Sequence, residues 1–208
     1  MAVQDHQMIS SKEDYRFFLA ADKESMGMRD GIMAFLSPRW KYVRIMRRIE
    51  YIQNCKRGPF WGAYKKWLSF RLFRLSMKTK FLIRPNSFGP GISIAHEGCI
   101  GVNEKASIGE NCRIHVGVTI GTAAGHTEMA PHIGNNVYIG PGAKVFGDID
   151  IADGIAIGAN AVVTKSFTEP NITLGGIPAK KISNKGSAEY LILGTEIVRE
   201  RMNNGWRP

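Results

Sequence analysis

From Ile133 onward an aliphatic residue returns at every sixth position, through Ile139, Val145, Ile151 and Ile157 to Val163, without a slip. A period of six fits neither the 3.6-residue turn of an amphipathic helix nor the two-residue alternation of a plain strand. It fits a coil with three flat sides, each a short strand and a turn, so that three units complete one revolution. The aliphatic residue of each unit points inward and stacks on its equivalent one coil away, while small neighbours such as Gly134, Gly140 and Gly158 permit tight corners. The same ladder runs upstream through Val102, Ile108, Ile114 and Ile120, and more loosely through Phe88, Ile94 and Ile100. Such a stack pairs strand to strand in parallel and is stabilised by nearest-neighbour contacts. The predicted fold is mainly β: a left-handed parallel β-helix with an α-helical N-terminal region and a short C-terminal helical tail.

Two interruptions break the ladder, and insertions in a solenoid are where function is grafted. Thirteen positions separate Ile120 from Ile133, so GTAAGHTEMAPH includes a loop that leaves the coil. A smaller jump of two falls between Ile100 and Val102, just after SIAHEGCIG. Before the repeats the pattern turns helical. Ser10 or Ser11 caps a helix through SKEDYRFFLAADKESM, with Glu13 and Asp14 in its first turn. Pro38 opens PRWKYVRIMRRIEYIQNC, where Trp40, Val43, Arg44, Arg47 and Tyr51 recur at helical steps, and Gly58-Pro59 ends it. FWGAYKKWLSFRLFRLSMKTKF follows as a third helix. The expected division is a helical region over 1–80, a coil over 81–183 and a tail over 184–208, with a helix around Ala188 to Met202 that packs on a neighbour or covers the coil end.

Composition changes this picture at three points. With 208 residues the chain suits one main body. It contains no apolar run long enough to span a membrane, and MAVQDHQMISSKEDY lacks the apolar core of a signal peptide, so a cytoplasmic protein is expected. Cys55, Cys99 and Cys112 lack metal-ligand spacing and are expected to be buried reduced thiols, with no metal site. The net charge of +10 is concentrated: Arg39 to Lys80 holds thirteen Lys or Arg and one acid, Glu50. One reading of residues 39–80 is docking to an anionic membrane face or a lipid-linked glycan, with Trp61, Trp67, Phe70 and Phe73 at the interface. The favoured reading is that these aromatics pack against the coil and the cations form a solvated face. No recognition motif accompanies the charge, so no nucleic-acid partner is expected.

The stretches FGPGISIAHEG, RIHVGVTIGTAAG, PHIGNNVYIGPGAKVFGDIDIADGIAIGANAVV and GGIPAKKI, in that order over about Phe81 to Ser183, resemble the serine acetyltransferases and their relatives in polysaccharide gene clusters, within the hexapeptide acyltransferases. The resemblance implies a homotrimer, acetyl-CoA as co-substrate in the groove between adjacent β-helices, and a histidine that activates the acceptor hydroxyl. His96 falls on the catalytic position, and imidazole has the pKa to take a proton from a hydroxyl near neutrality. His115 is the second catalytic candidate. His126 and His132 flank the protruding loop and, with Glu97, are candidates to contact acceptor; His6 is expected to lie in a frayed terminus. The resemblance places Pro141, Ala159, Thr164 and Lys165 along the pantetheine arm and Lys180 near the nucleotide.

Two departures bear on the acceptor. Ala95 stands where serine acetyltransferases carry an acid before the catalytic histidine, and Ala130 where they carry a second histidine. Both remove polar groups expected to hold an amino acid's ammonium and carboxylate. The expected function is therefore acetylation of a sugar hydroxyl in capsule or exopolysaccharide biosynthesis. Serine O-acetylation for cysteine biosynthesis is the alternative, and a non-catalytic β-helix scaffold is a third. Glu97, Glu104 and Glu128 are the carboxylates available to orient His96.

Overall fold

The ladder closes into three parallel sheets in the computed structural model of the chain, which describes residues 7–28, 31–32 and 36–208. The first face stacks β1 (Phe81–Ile83), β3 (Ile100–Val102), β6 (Thr119–Gly121), β9 (Lys144–Phe146) and β12 (Val162–Val163). The second stacks β4 (Ser107–Ile108), β7 (His132–Ile133) and β10 (Asp150–Ile151), extended by single bridges from Phe88 to Ile108 and from Ile151 to Phe167. The third stacks β2 (Ser93–Ile94), β5 (Arg113–Ile114), β8 (Tyr138–Ile139), β11 (Ala156–Ile157), β13 (Thr173–Gly175) and β14 (Lys180–Ser183). All pairings are parallel except β13 with β14, where the chain turns back. The predicted rungs meet their equivalents: Ile114 pairs with Ile94 and Ile139, Ile120 with Val102 and Val145, and Ile133 with Ile108 and Ile151.

Register locates both interruptions. Ile94 and Val102 pair with Ile114 and Ile120, so a step of eight residues runs beside a step of six. The two extra residues lie not between Ile100 and Val102, which belong to one regular strand, but before it in the turn over 95–99, which carries His96. The second insertion is the loop between β6 and β7, braced by Ala123 N donating to Met129 O, and by the ion pair between Lys105 and Glu128 at 2.5 Å.

Three helices close the first coil. In α1 (Lys12–Ser25) the Ser11 hydroxyl accepts from the Asp14 amide, as the sequence predicts. Ser37 caps α2 (Pro38–Cys55), and α3 (Pro59–Thr79) starts after Gly58. The third helix stops two residues short of its expected end, because Lys80 takes a left-handed conformation (φ 63°) and Phe81 is buried as the first residue of β1. An open coil end presents unpaired backbone groups, and side chains of the helices satisfy them on all three sides. The Tyr42 hydroxyl donates to Ile83 O and accepts from Ile83 N. Arg47 donates to Phe88 O and Gly89 O, while Asp22 accepts from the amides of Gly91 and Ile92. Arg39 donates to Ile94 O and Ala95 O. The FGPG stretch is thus the docking point for two helices. Gly91 has φ +83°, and a Cβ there would lie 2.5 Å from Asn111 Oδ1. One apolar cluster runs from Trp40, Val43, Met46 and Leu68 into the coil interior.

The tail returns along the corner between the second and third faces of its own coil and carries a helix close to the expected position. Ser187 N donates to Gly154 O, and Asn111 exchanges hydrogen bonds with Thr195. After a short 3-10 turn (Ala188–Tyr190), α4 (Gly194–Asn203) packs on α1 of the same chain. Gly194 makes that approach possible, since a Cβ there would lie 2.2 Å from Ala21 O.

Two further expectations need correction. Trp61 is half-buried, yet Trp67, Phe70 and Phe73 are 50%, 60% and 61% exposed, because α3 already buries Leu68 and Leu72 on its inner side. Only Cys112 is a buried thiol, its pKa pushed up to about 12 by burial; Cys55 is half-buried and Cys99 exposed. His6 lies outside the described residues.

Candidate active site

His96 and His115 meet at the corner between the third and first faces. The inward Ile94 is followed by buried Ala95, whose carbonyl is held by Arg39, and the two-residue insertion then carries His96 and Glu97 out into solvent. His115 directly follows the inward Ile114 of β5, one coil along, so it points outward by alternation. Their ring centroids lie 5.9 Å apart. The row of ring contacts continues edge to face from His115 to Tyr138 at 5.1 Å and, tilted, from Tyr138 to Tyr190 of the tail at 4.9 Å.

Burial lowers the His115 pKa, and the charge of Arg113 and proximity of His96 lower it further. Arg113 Nε donates to His115 Nε2 at 3.4 Å, a contact that a protonated Nε2 does not accept. His115 is thereby held neutral to lower pH than an ordinary histidine. Arg113→Gln, which removes the second of these causes, should raise the His115 pKa while leaving burial in force; an NMR titration of the ring protons would show it, and an unchanged midpoint would remove Arg113 from the account.

Among the described residues no carboxylate hydrogen-bonds to His96. Glu97 adjoins it in sequence and is exposed. Glu104 and Glu128 instead line a cleft of about 560 Å³ on the outside of the first face, between β6 and the inserted loop, with Leu82, Thr119 and Phe146. His126 is exposed on that loop. His132 points outward from the second face, in register between Ser107 and Asp150, and so is not beside His96.

The cofactor candidates divide between two edges. Gly142 N donates to Val116 O and Asn160 N to Pro141 O, so Val116, Pro141 and Ala159 form one column on the corner that carries the histidines. Pro141 and Ala159 are both exposed. The neighbouring glycine column is explained by the coil itself, since a Cβ on Gly140 would lie 2.8 Å from Ile157 O. Thr164 and Lys165 follow β12 at the next corner, and Lys180 begins β14 at the last coil. All three are exposed, and among the described residues neither lysine pairs with a carboxylate, whereas Lys181 pairs with Glu169.

Arg113, Tyr138, Arg39 and Tyr190 complete this neighbourhood without having been singled out in the sequence. The hexapeptide phase holds the signal for Arg113 and Tyr138, which occupy the outward position before an inward aliphatic and are paired in register. Nothing in the local sequence marks Arg39, or Tyr190, which reaches the site only because the tail turns back.

No family model matches the chain. A serine acetyltransferase from Synechococcus elongatus is 38% identical over 99 residues, 47% of this chain and 40% of that protein. The chain spans about half or less of the length of the first curated relatives it matches, at 40% and 48%. The crystal structure of serine acetyltransferase from Brucella abortus strain S19 superposes with a TM-score of 0.66 at 25% identity, covering 85% of this chain and 72% of that one. A serine acetyltransferase in complex with CoA gives 0.62 at 25% identity over 79% of this chain and 68% of that one. By its repeat, its three-sided coil and these likenesses, the chain is similar to the serine acetyltransferases in sequence and in fold.

Proposed function

We propose that this chain is an acetyl-CoA-dependent O-acetyltransferase, built on the left-handed β-helix of the hexapeptide acyltransferases, with His96 as general base. The observation that carries the reading is the exposed imidazole on a corner lengthened by two residues, 5.9 Å from a second imidazole held neutral. In the transfer, the acceptor oxygen attacks the thioester carbonyl as His96 takes its proton. The tetrahedral intermediate collapses with cleavage of the carbon–sulfur bond, and the imidazolium returns the proton to the departing thiolate. Backbone N–H groups of the adjoining turns are available to stabilise the oxyanion. CoA, which one of the similar structures holds, would lie between the Pro141–Ala159 edge of one subunit and the Thr164–Lys165 edge of the next, with Lys165 and Lys180 against its phosphates. The active unit in this reading is a homotrimer with the cofactor between adjacent coils. Glu97 adjoins the acceptor, and His126 and His132 would meet it from a neighbouring subunit.

Serine is the first acceptor to test, because the similar proteins carry that name; this displaces the polysaccharide acceptor favoured by the sequence. A sugar hydroxyl remains the second reading on one observation. Ala95 and Ala130, both buried, offer no polar side chain at the two positions where the resemblance to serine acetyltransferases expects one for an amino acid. Thiol release from acetyl-CoA separates the readings. Serine-dependent release is expected; release only with sugar acceptors would replace serine, and no release with either would leave a scaffold.

A further inference from the structure

The α3 helix has two apolar sides, and the fold uses one. Leu68, Leu72 and Thr79 are buried against the core. On the opposite side Phe70, Phe73 and Met77, at steps of three and four, are 60%, 61% and 58% exposed, with Trp67 at 50% on its flank. A soluble helix normally turns charge toward water on that side. The patch continues past the helix, because Phe73 lines a cleft with Leu82 of β1, itself 57% exposed. No acid occurs between Glu50 and Glu97, and among the described residues no carboxylate pairs with Lys41, Arg71 or Arg74. Those three line a cleft of about 260 Å³ between α2 and α3, floored by Ile45 and Leu75.

We infer that α3 docks this protein on an anionic phospholipid surface, with Phe70, Phe73 and Met77 entering the headgroup boundary and the Lys41–Arg71–Arg74 cleft receiving a lipid phosphate. Aromatic and aliphatic side chains beside Lys and Arg are what an interfacial helix presents, apolar burial supplying depth and the cations the preference for anionic lipid. Charge decides against a second copy as the occupant, because juxtaposing two such helices would set Arg71 and Arg74 of each against those of the other with no acid on either helix to offset them. The inference is independent of the acetyl-transfer reading.

Sedimentation of the full chain with phosphatidylcholine vesicles, with and without phosphatidylglycerol, tests it. Binding is expected only with phosphatidylglycerol and should weaken at high salt. Arg71→Gln/Arg74→Gln should weaken partition about fivefold per lost cation. Phe70→Ser/Phe73→Ser should abolish binding, with an unchanged melting temperature because both rings are exposed. Inorganic phosphate at millimolar concentration should leave most of the binding in place, separating a lipid surface from a free-anion site. Equal binding to neutral vesicles, or none to anionic ones, would overturn the inference. So would a serine-pair variant that dissociates the protein into smaller assemblies while still sedimenting with vesicles, since a second copy would then cover the patch.

Discussion

His96→Ala should lower acetyl-transfer turnover by about 10²–10⁴-fold, the range that one positioned acid–base group contributes. The KM for acetyl-CoA should change little, because the exposed edge assigned to the cofactor, Pro141 and Ala159, lies on later coils and does not depend on the imidazole. Melting should be unaffected as well. His96 is exposed, accepts no structural hydrogen bond among the described residues, and follows a backbone that Arg39 already holds. Steady-state thiol release and a thermal melt check both halves. A loss of turnover accompanied by a fall in melting temperature would make His96 a structural residue. His115→Gln serves as the comparison: its neutral ring, 5.9 Å from His96, can tune the base without being the base, so its loss should cost less and should shift the pH profile. If His115→Gln were the more damaging change, the two roles would be exchanged.

The six-residue period makes most of the coil legible, because each inward residue is specified by contact with its equivalents one coil away. It puts the short insertion slightly late, between Ile100 and Val102, and the strand pairing moves it back to the His96 corner, where an eight-residue step beside a six-residue step leaves two residues with nowhere to go but outward. What stays hidden depends on contacts between segments far apart in sequence. Arg39 reaches Ile94 across 55 residues, and Asn111 pairs with Thr195 across 84. No local pattern encodes either pairing. The aromatic residues of α3 escape the sequence pattern for a related reason. Amphipathicity says that one side of a helix is buried, but it does not say which side when both are apolar.

The largest effect on stability is expected at Arg47. Its side chain is fully buried, with Nε 2.8 Å from Asp22 Oδ2 and Nη1 2.9 Å from Glu50 Oε2, and it donates in addition to Phe88 O and Gly89 O. Burial raises the pKa of both carboxyls, Arg47 pulls them back down, and the two carboxyls hold the guanidinium charged. Arg47→Met leaves two buried acids without a counter-charge and the Phe88 and Gly89 carbonyls without their arginine donor, and breaking one side of a buried pair costs about 3–5 kcal/mol. Domains of this size are stable by only about 5–15 kcal/mol, so a fall in melting temperature on the order of 10 °C is expected. The pH dependence distinguishes lost pairing from lost packing. Without Arg47 the folded-state carboxyl pKa values rise further above their unfolded values, so the folded state takes up protons first as pH falls, and the variant regains stability toward acid. The gap from the parent protein should therefore narrow between pH 8 and pH 5. Asp22→Asn/Arg47→Met/Glu50→Gln leaves no buried charge, and the amide oxygen it places at position 22 can still accept from Gly91 and Ile92, so this triple variant should recover part of the loss at neutral pH. A gap that is constant with pH, together with no recovery in the triple variant, would mean that shape rather than charge fastens the helices to the coil.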